Sequence, residues 1–258
     1  MVNIAAIGLS LLATFTLATF AFIIARVRHQ RYDVIDVFWG PLIASASWTA
    51  CIQSEAFTIM NIVVLVMVSV WALRLSWYIG RRWWNNPTED PRYKMLRRSW
   101  PKQWIPLQIF FRIYLLQACL ATAVALPVLM IIYTNPALGW WTYLGIIIWS
   151  GGFILEVIAD QQLATFLKTQ RRDVLLTTGL RRWIRHPNYL GEISLWWGIV
   201  LMNAPSQYWW LSAIGAATVT CLIVKISGIP PAELRLARKP GWITYRQQTG
   251  ALLPRLPV

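Results

Sequence analysis

Apolar residues fall along this chain in long unbroken runs, with the polar positions gathered between them. Seven runs are candidates for helices that cross a bilayer: Ile4–Ala25, Ile35–Cys51, Phe57–Ile79, Ile109–Tyr133, Leu138–Ile158, Tyr189–Asn203 and Tyr208–Ile226. A helix needs about 20 mostly apolar residues to cross the hydrocarbon layer. The second and sixth runs are shorter, as expected of segments partly open to water or to a bound polar molecule. The first run has no basic stretch before it and no small-residue cleavage motif, and its bases follow it, so it reads as a signal anchor. The basic connecting segments are too short and too rich in proline (Pro87, Pro91, Pro101, Pro106) to fold alone. The pattern predicts an all-α, polytopic integral membrane protein forming one domain over residues 1–258. Helices one to four occupy 1–133; helices five to seven and a tail occupy 134–258.

Charge adds an orientation. The 258 residues carry 24 Lys and Arg against 10 Asp and Glu, a formal charge of +14. Such basicity often marks a nucleic-acid binder. With 57% hydrophobic and only 13% charged residues, no nucleic-acid partner is expected. Apart from Arg74 and Arg112 at helix ends, the bases sit in segments 26–34, 80–108 and 159–188 and in the tail from Lys225, whereas loops 52–56, 134–137 and 204–207 have none. By the positive-inside rule the amino terminus is outside and the carboxyl terminus cytoplasmic, which requires an odd number of crossings; seven fits. Trp83, Trp84, Trp100 and Trp104 on the inner side, with Trp140, Trp141, Trp209 and Trp210 on the outer, read as interfacial belts. Cys51, Cys119 and Cys221 lie in apolar runs, and the two histidines lack paired spacing, so neither a disulfide framework nor a metal site is expected. No GxGxxG motif marks a soluble dinucleotide domain.

The scarce acids locate the candidate chemistry. Asp36 starts the second span, Glu156 and Asp160 end the fifth, and Glu192 lies one turn into the sixth. Carboxylates in a membrane are expensive and mark functional or paired sites. Glu156 and Asp160, four residues apart, share a helix face. They either lock the bundle through Arg74, Arg81 or Arg185, or line a polar cavity entered from the cytosol. In the segment Thr178–Glu192, Pro187 opens a helix on which Asn188 and Glu192 face one way, preceded by Arg181, Arg182 and Arg185. Basic groups at a helix amino terminus suit a phosphate-bearing ligand, with amide and carboxylate partners for its uncharged end. Contact with lipid headgroups would explain the arginines, but not Asn188 and Glu192 in register. His186 is either a hydrogen-bonded structural residue or a cofactor contact.

The stretch Gly179-(x)5-Arg185-His186-Pro187-Asn188-Tyr189-Leu190-Gly191-Glu192 resembles the steroid 5-alpha-reductase and sterol-reductase superfamily, and most of all its bacterial members called a domain of unknown function. Asp36-Val37-Phe38-Trp39-Gly40, Glu89-Asp90-Pro91-Arg92-Tyr93, Glu156-(x)3-Asp160-(x)7-Lys168 and Pro240-Gly241-Trp242-(x)2-Tyr245 extend the likeness over roughly residues 30–257. The resemblance implies seven helices, the later ones binding NADPH from the cytosol and the first four admitting a hydrophobic enone, a steroid or another lipid. It implies that Asn188 and Glu192 engage the nicotinamide end, with Glu156, Asp160, His186 and Tyr189 in the same pocket. Lys168, Arg171, Arg172, Arg181 and Arg185 would hold phosphates. Glu233, Arg235, Arg238 and Tyr245 fall in a tail that closes over the cofactor.

Tyr78-Ile79-Gly80-Arg81 resembles the family's catalytic tyrosine context, but the expected glutamate motif of the second helix is absent and Asp36 is the only acid there. The implied reaction is hydride transfer from NADPH to the β-carbon of an enone, with Tyr78, oriented by Asp36, hydrogen-bonded to the carbonyl. Membrane methyltransferases that use S-adenosylmethionine share the Arg-His-Pro-x-Tyr segment and a late glutamate, so methyl transfer is a competing reading. A lipid-binding protein on a reductase scaffold is another. The implied location is the bacterial inner membrane with the cofactor site facing the cytosol. The sequence leaves open the endoplasmic reticulum as the membrane, and a monomer or a homo-oligomer as the working form.

Overall fold

A backbone surrounded by hydrocarbon must satisfy its own N–H and C=O groups, which a helix does within one segment. The long apolar runs are accordingly helical in the computed structural model, which describes residues 4–28, 30–169 and 173–255. The helices are α1 (Ile4–Val27), α2 (Ile35–Ser54), α3 (Ile59–Asn85), α4 (Pro91–Arg98), α5 (Ile105–Ile109), α6 (Leu116–Thr134), α7 (Trp140–Thr169), α8 (Pro187–Met202), α9 (Trp209–Cys221), α10 (Ile229–Leu236) and α11 (Trp242–Gln248). Wider π-type turns over Phe110–Leu115 run α5 into α6, and others over Leu222–Ile226 continue α9. Among the described residues the only bridge between extended segments joins Ile184 to Gly250.

Among the described residues six helical stretches are long and apolar enough to cross a membrane: Ile7–Val27, Tyr32–Ser54, Ile59–Asn85, Ile105–Thr134, Trp140–Thr169 and Trp209–Leu236. The protein is thus an integral membrane protein by the length and composition of its helices. The second run gains length because the turn at Tyr32–Val34 leads directly into α2. The sixth run stays short: α8 has 16 residues, a rise of about 24 Å at 1.5 Å per residue, against a hydrocarbon layer of about 30 Å.

Local chemistry sets the helix ends. Thr58 caps α3, its Oγ1 accepting from the Asn61 N–H at 3.3 Å. Asp90 caps α4 through the Arg92 N–H at 2.9 Å, with Pro91 at the first helical position where its missing N–H costs nothing. Trp104, just before α5, has φ of +57°, a left-handed conformation that a bulky side chain rarely takes and that costs on the order of 1–3 kcal/mol. Gln108 holds that turn, donating from Nε2 to the carbonyls of Pro101 (2.9 Å) and Gln103 (2.7 Å).

The chain forms two units, one of residues 1–137 with 206–214, the other of 138–205 with 215–258. In the first, α2 packs on α3 so closely that a Cβ on Gly40 would lie 2.7 Å from the Ala72 carbonyl oxygen. Thr14 of α1 and Thr122 of α6 share a buried hydrogen bond of 2.9 Å, and Leu42, Ile43, Trp71, Leu129 and Met130 fill the core.

In the second unit α7 and α8 run antiparallel with their backbones in contact. A Cβ on Gly152 would meet the Gly191 carbonyl oxygen at 2.6 Å, and one on Gly191 would meet the Gly152 oxygen at 2.5 Å and the Glu156 nitrogen at 2.9 Å. One further pair repeats the approach: a Cβ on Gly145 would lie 2.6 Å from the Gly198 carbonyl oxygen, and one on Gly198 2.8 Å from that of Gly145. Small residues permit this approach, which gains dispersion contact where lipid removes the hydrophobic drive for helices to associate. The neighbouring Gly151 has nothing within 4 Å of a built Cβ. Gly151→Ala should therefore be neutral or stabilising, by up to about 1 kcal/mol through helix propensity. Gly152→Ala should lower stability by about 1–3 kcal/mol, because carbonyl groups cannot step aside as a side-chain tip can. Thermal unfolding of the two variants in one detergent measures the difference, which has opposite signs at adjacent positions.

Candidate functional site

The glycine contacts of α7 and α8 decide what stands beside what. Glu156 lies one turn past Gly152 and its backbone abuts Gly191. The same antiparallel register sets Glu156 at the level of the first turn of α8, which carries Asn188; Asp160 lies one turn further along α7, level with the residues just before α8, and Glu192 is on the second turn of α8. Both α7 acids are buried, at 3% and 7% exposure. Asn188 Oδ1 is also buried and accepts no hydrogen bond from a described residue. A buried amide oxygen left in this state costs on the order of 1–3 kcal/mol, so it calls for a donor.

Next to this turn the Arg-His segment grips the tail. Arg185 is buried and donates from Nε and Nη2 to Glu233 Oε1 at 2.9 and 2.7 Å, while its Nη1 donates to the carbonyls of Thr249 and Arg246. Arg185 N–H donates to the Gly250 carbonyl at 2.9 Å and His186 N–H to the Ala251 carbonyl at 3.1 Å, forming the short bridge. The Tyr245 hydroxyl donates to the Arg181 carbonyl at 2.7 Å, and Arg181 Nη1 donates to the Arg185 carbonyl at 2.5 Å. Burial raises the Tyr245 pKa above its ordinary value, so the donor keeps its proton. The Arg185 guanidinium is thus turned onto the tail. Tyr189 points its hydroxyl at the Gly228 carbonyl, 3.4 Å away.

His186 is buried, stacks on Tyr189 with ring centroids 5.3 Å apart, and sets Nε2 3.4 Å from Glu233 Oε1. Burial first, and then the positive charge of Arg181, push its pKa down to about 4, with Glu233 acting in the opposite direction. The imidazole is neutral at neutral pH.

Lys168, Arg182, Arg235 and Arg238 are exposed. Arg171 and Arg172 lie outside the described residues. Near Lys168 a groove of about 550 Å³ runs along the end of α7, lined by Ile158, Gln161, Gln162, Thr165, Phe166, Thr169, Leu176, Thr178 and Gly179. Gly179 has φ of +61°, and a Cβ there would strike Gln162 Oε1 at 2.5 Å, the atom that accepts the Leu180 N–H. Among the described residues no group of three or more His, Cys, Asp or Glu is placed to hold a metal ion.

In the other unit, Asp36 is engaged by Tyr93, whose hydroxyl donates to Oδ1 at 2.6 Å, and by Arg92, at 3.0 Å from Oδ2. Tyr78 is half-buried on α3, with the Arg74 guanidinium 5.9 Å from its ring centroid. The hydroxyl bound to Asp36 therefore belongs to Tyr93, 57 residues away in sequence. Burial, and next the Asp36 charge, drive the Tyr93 pKa far up, so the hydroxyl stays a donor. Burial opposes ionisation of Asp90, but hydrogen bonds from the Arg92 side chain and N–H outweigh it and hold that carboxyl below its usual range. Asp33 accepts from Trp83 Nε1 (3.0 Å), Arg31 (3.1 Å) and the Asp90 N–H (3.1 Å), and Glu89 takes both terminal nitrogens of Arg97 at 2.9 and 2.5 Å. Sequence reasoning assigned no role to Asp33 or to the Arg97–Glu89 pair. Acids inside a strongly basic segment were the available signal.

Residues 21–249, which include every candidate position from Asp36 to Tyr245, match the family described as protein of unknown function DUF1295. The chain belongs to that family. It is related to steroid 5-alpha-reductase-like membrane proteins. An uncharacterized protein of the yeast Schizosaccharomyces pombe is 24% identical over 255 residues, covering 86% of this chain and 72% of the yeast protein. No solved structure matches the chain.

The neutral His186 has a stability consequence. Its folded pKa of about 4 lies below the ordinary 6.5, so between these values the unfolded chain binds the extra proton. Stability should fall as pH drops from 6.5 towards 4, with a slope of up to one proton, about 1.4 kcal/mol per pH unit. Unfolding midpoints across this range check it, and His186→Gln should remove that part of the slope.

Proposed function

We propose that this protein reduces a carbon–carbon double bond conjugated to a carbonyl in a hydrophobic substrate, an enone steroid or lipid, with NADPH held by α7, α8 and the tail. The observation that carries the reading is Asn188, whose buried Oδ1 awaits a donor on the first turn of a helix pressed against the turn that bears Glu156. A carboxamide such as that of nicotinamide supplies the N–H this oxygen lacks. The residues present therefore fit the cofactor.

In this reading Asn188 and Glu192 orient the nicotinamide end, with Glu156 and Asp160 completing a polar wall. Lys168, Arg171, Arg172 and Arg181 take the phosphates. Arg185 has a positioning role: it ties Glu233 and the tail carbonyls together, so that Arg235, Arg238 and Tyr245 stay at the site. His186, neutral, adds a polar contact without a charge. Bound NADPH would supply hydride to the β-carbon, and a proton from water would complete the reduction at the α-carbon. Tyr78 donates a hydrogen bond to the substrate carbonyl, where negative charge grows in the transition state; a donor aimed there contributes typically about 3–4 kcal/mol. Asp36, engaged by Tyr93 and Arg92, acts on this chemistry by holding that corner of α2.

The arginine-rich complement favours a ligand with three phosphates over S-adenosylmethionine, although the Arg-His-Pro-x-Tyr segment is common to both readings. The proposed topology counts α8 as a short seventh crossing, with the amino terminus outside and the carboxyl terminus in the cytosol of a bacterium.

Titration of purified protein with NADPH and with S-adenosylmethionine tests the reading. NADPH should bind, and Asn188→Leu should weaken it about ten-fold or more, the worth of one buried hydrogen bond. Screening enone steroids and lipids by NADPH oxidation should identify a substrate whose turnover falls about 10²–10³-fold in Tyr78→Phe with cofactor affinity unchanged. Binding of S-adenosylmethionine alone would replace reduction with methyl transfer, and normal turnover by Tyr78→Phe would remove that tyrosine from the mechanism.

A further inference from the structure

The segment between α3 and α6 presents a face that neither the candidate site nor the core uses. Its acids are engaged: Glu89 is buried against Arg97, and Asp90, half-buried, is paired with Arg92. What remains outward is cationic. Lys94, Arg98 and Lys102 are all exposed. Among these cations stand large apolar side chains: Met95 is 58% exposed, Leu96 52% and Trp104 77%. A face that mixes cations with bare apolar groups and no acid is poorly suited to water and well suited to the boundary between headgroups and acyl chains.

Two further observations place this face at that boundary. The continuous helical stretch Ile105–Thr134 has 30 residues, about 45 Å at 1.5 Å per residue, which exceeds a hydrocarbon layer of about 30 Å. Its first turns, with exposed Leu107 and Phe111, therefore reach into the headgroup zone. Trp104 lies just ahead of them in its strained left-handed conformation, and Gln108 locks the turn from two carbonyls. A strained backbone that projects an indole outward is compensated when the indole lies among lipid headgroups, where tryptophan partitions best.

We propose that the face formed by Lys94, Arg98, Lys102 and Trp104 binds anionic phospholipid in the leaflet it meets, the cations holding headgroup phosphates and the indole seated at the glycerol level. The attraction is largely electrostatic and specific for charge, and it is independent of any reaction the protein performs. It makes lipid composition a determinant of how firmly α4 is held, because α4 carries both Lys94 and Arg98 outward and the ion pairs of Arg92 and Arg97 inward.

The test uses the whole protein reconstituted in phosphatidylcholine nanodiscs with and without phosphatidylglycerol, and native mass spectrometry of lipid retained after detergent extraction. The wild type should retain phosphatidylglycerol in preference to phosphatidylcholine, show a higher unfolding temperature in the anionic discs, and lose both differences at high salt. The combined variant Lys94→Gln, Arg98→Gln, Lys102→Gln should lower the preference about ten-fold or more, each basic group near an anionic surface contributing comparably. Trp104→Gly, which takes the left-handed backbone without strain, should keep the fold and lower retention of either lipid. A wild type that does not discriminate between the lipids, or a triple variant that retains phosphatidylglycerol as the wild type does, overturns the proposal. So does a preference insensitive to salt.

Discussion

The contact between Gly152 and Gly191 is the constraint on which the candidate site depends. Two helix backbones touch there because neither position carries a Cβ, and the separation that results is too small for any other residue. In a membrane the hydrophobic effect does not press helices together, so close approach of small residues must do so. Once these two positions are in contact, the antiparallel register of α7 and α8 has no freedom left. Glu156 is then set beside Gly191, with Asn188 and Glu192 within one turn of that glycine along α8. Polar residues of the candidate site are thereby brought together from two helices that are otherwise largely apolar.

Arginine–carboxylate clamps form a second level of organisation, one in each unit. Arg185 joins Glu233 and the Thr249 carbonyl, pinning the tail to the start of α8. Arg92 joins Asp36 and Asp90, pinning α4 to the start of α2. Each is a fork of donors matched to a carboxylate and supported by a tyrosine, Tyr245 in one case and Tyr93 in the other. Removing one partner from such a pair leaves a buried charge uncompensated, which is far more costly than the pair's net worth. These clamps engage three of the ten acids, Glu233, Asp36 and Asp90.

Much of this was legible before any coordinates. The helical class, the membrane and the positions of the long helices follow from apolar runs that no soluble fold could tolerate at the surface. Pro187 as a helix start and the shared face of Asn188 and Glu192 follow from local rules that need only the neighbouring residues. The sequence reading named Arg185 and Glu233 separately, one as a phosphate ligand and one as part of a closing tail. That they bind each other was hidden by the 48 residues between them. Asp36 reads from the sequence as the partner of Tyr78 on the adjacent helix, and the structure adds a hydroxyl donor to it from Tyr93 of α4. In both cases pairing across a long separation was the quantity that local sequence does not carry.

The sequence by itself determined that this chain lives in a membrane, that its bases cluster in alternate loops, and that a polar segment around residues 178–192 interrupts the apolar pattern. Periodicity and composition are local properties, and each can be read from a window of about twenty residues. Only the tertiary structure decided which arginine is engaged by which acid, which tyrosine serves Asp36, and which amide oxygen is left buried without a partner. Those outcomes depend on helix register, and register is set by where two backbones can touch. For α7 and α8 that place is the pair of glycines, whose meaning appears only when the other helix is beside them.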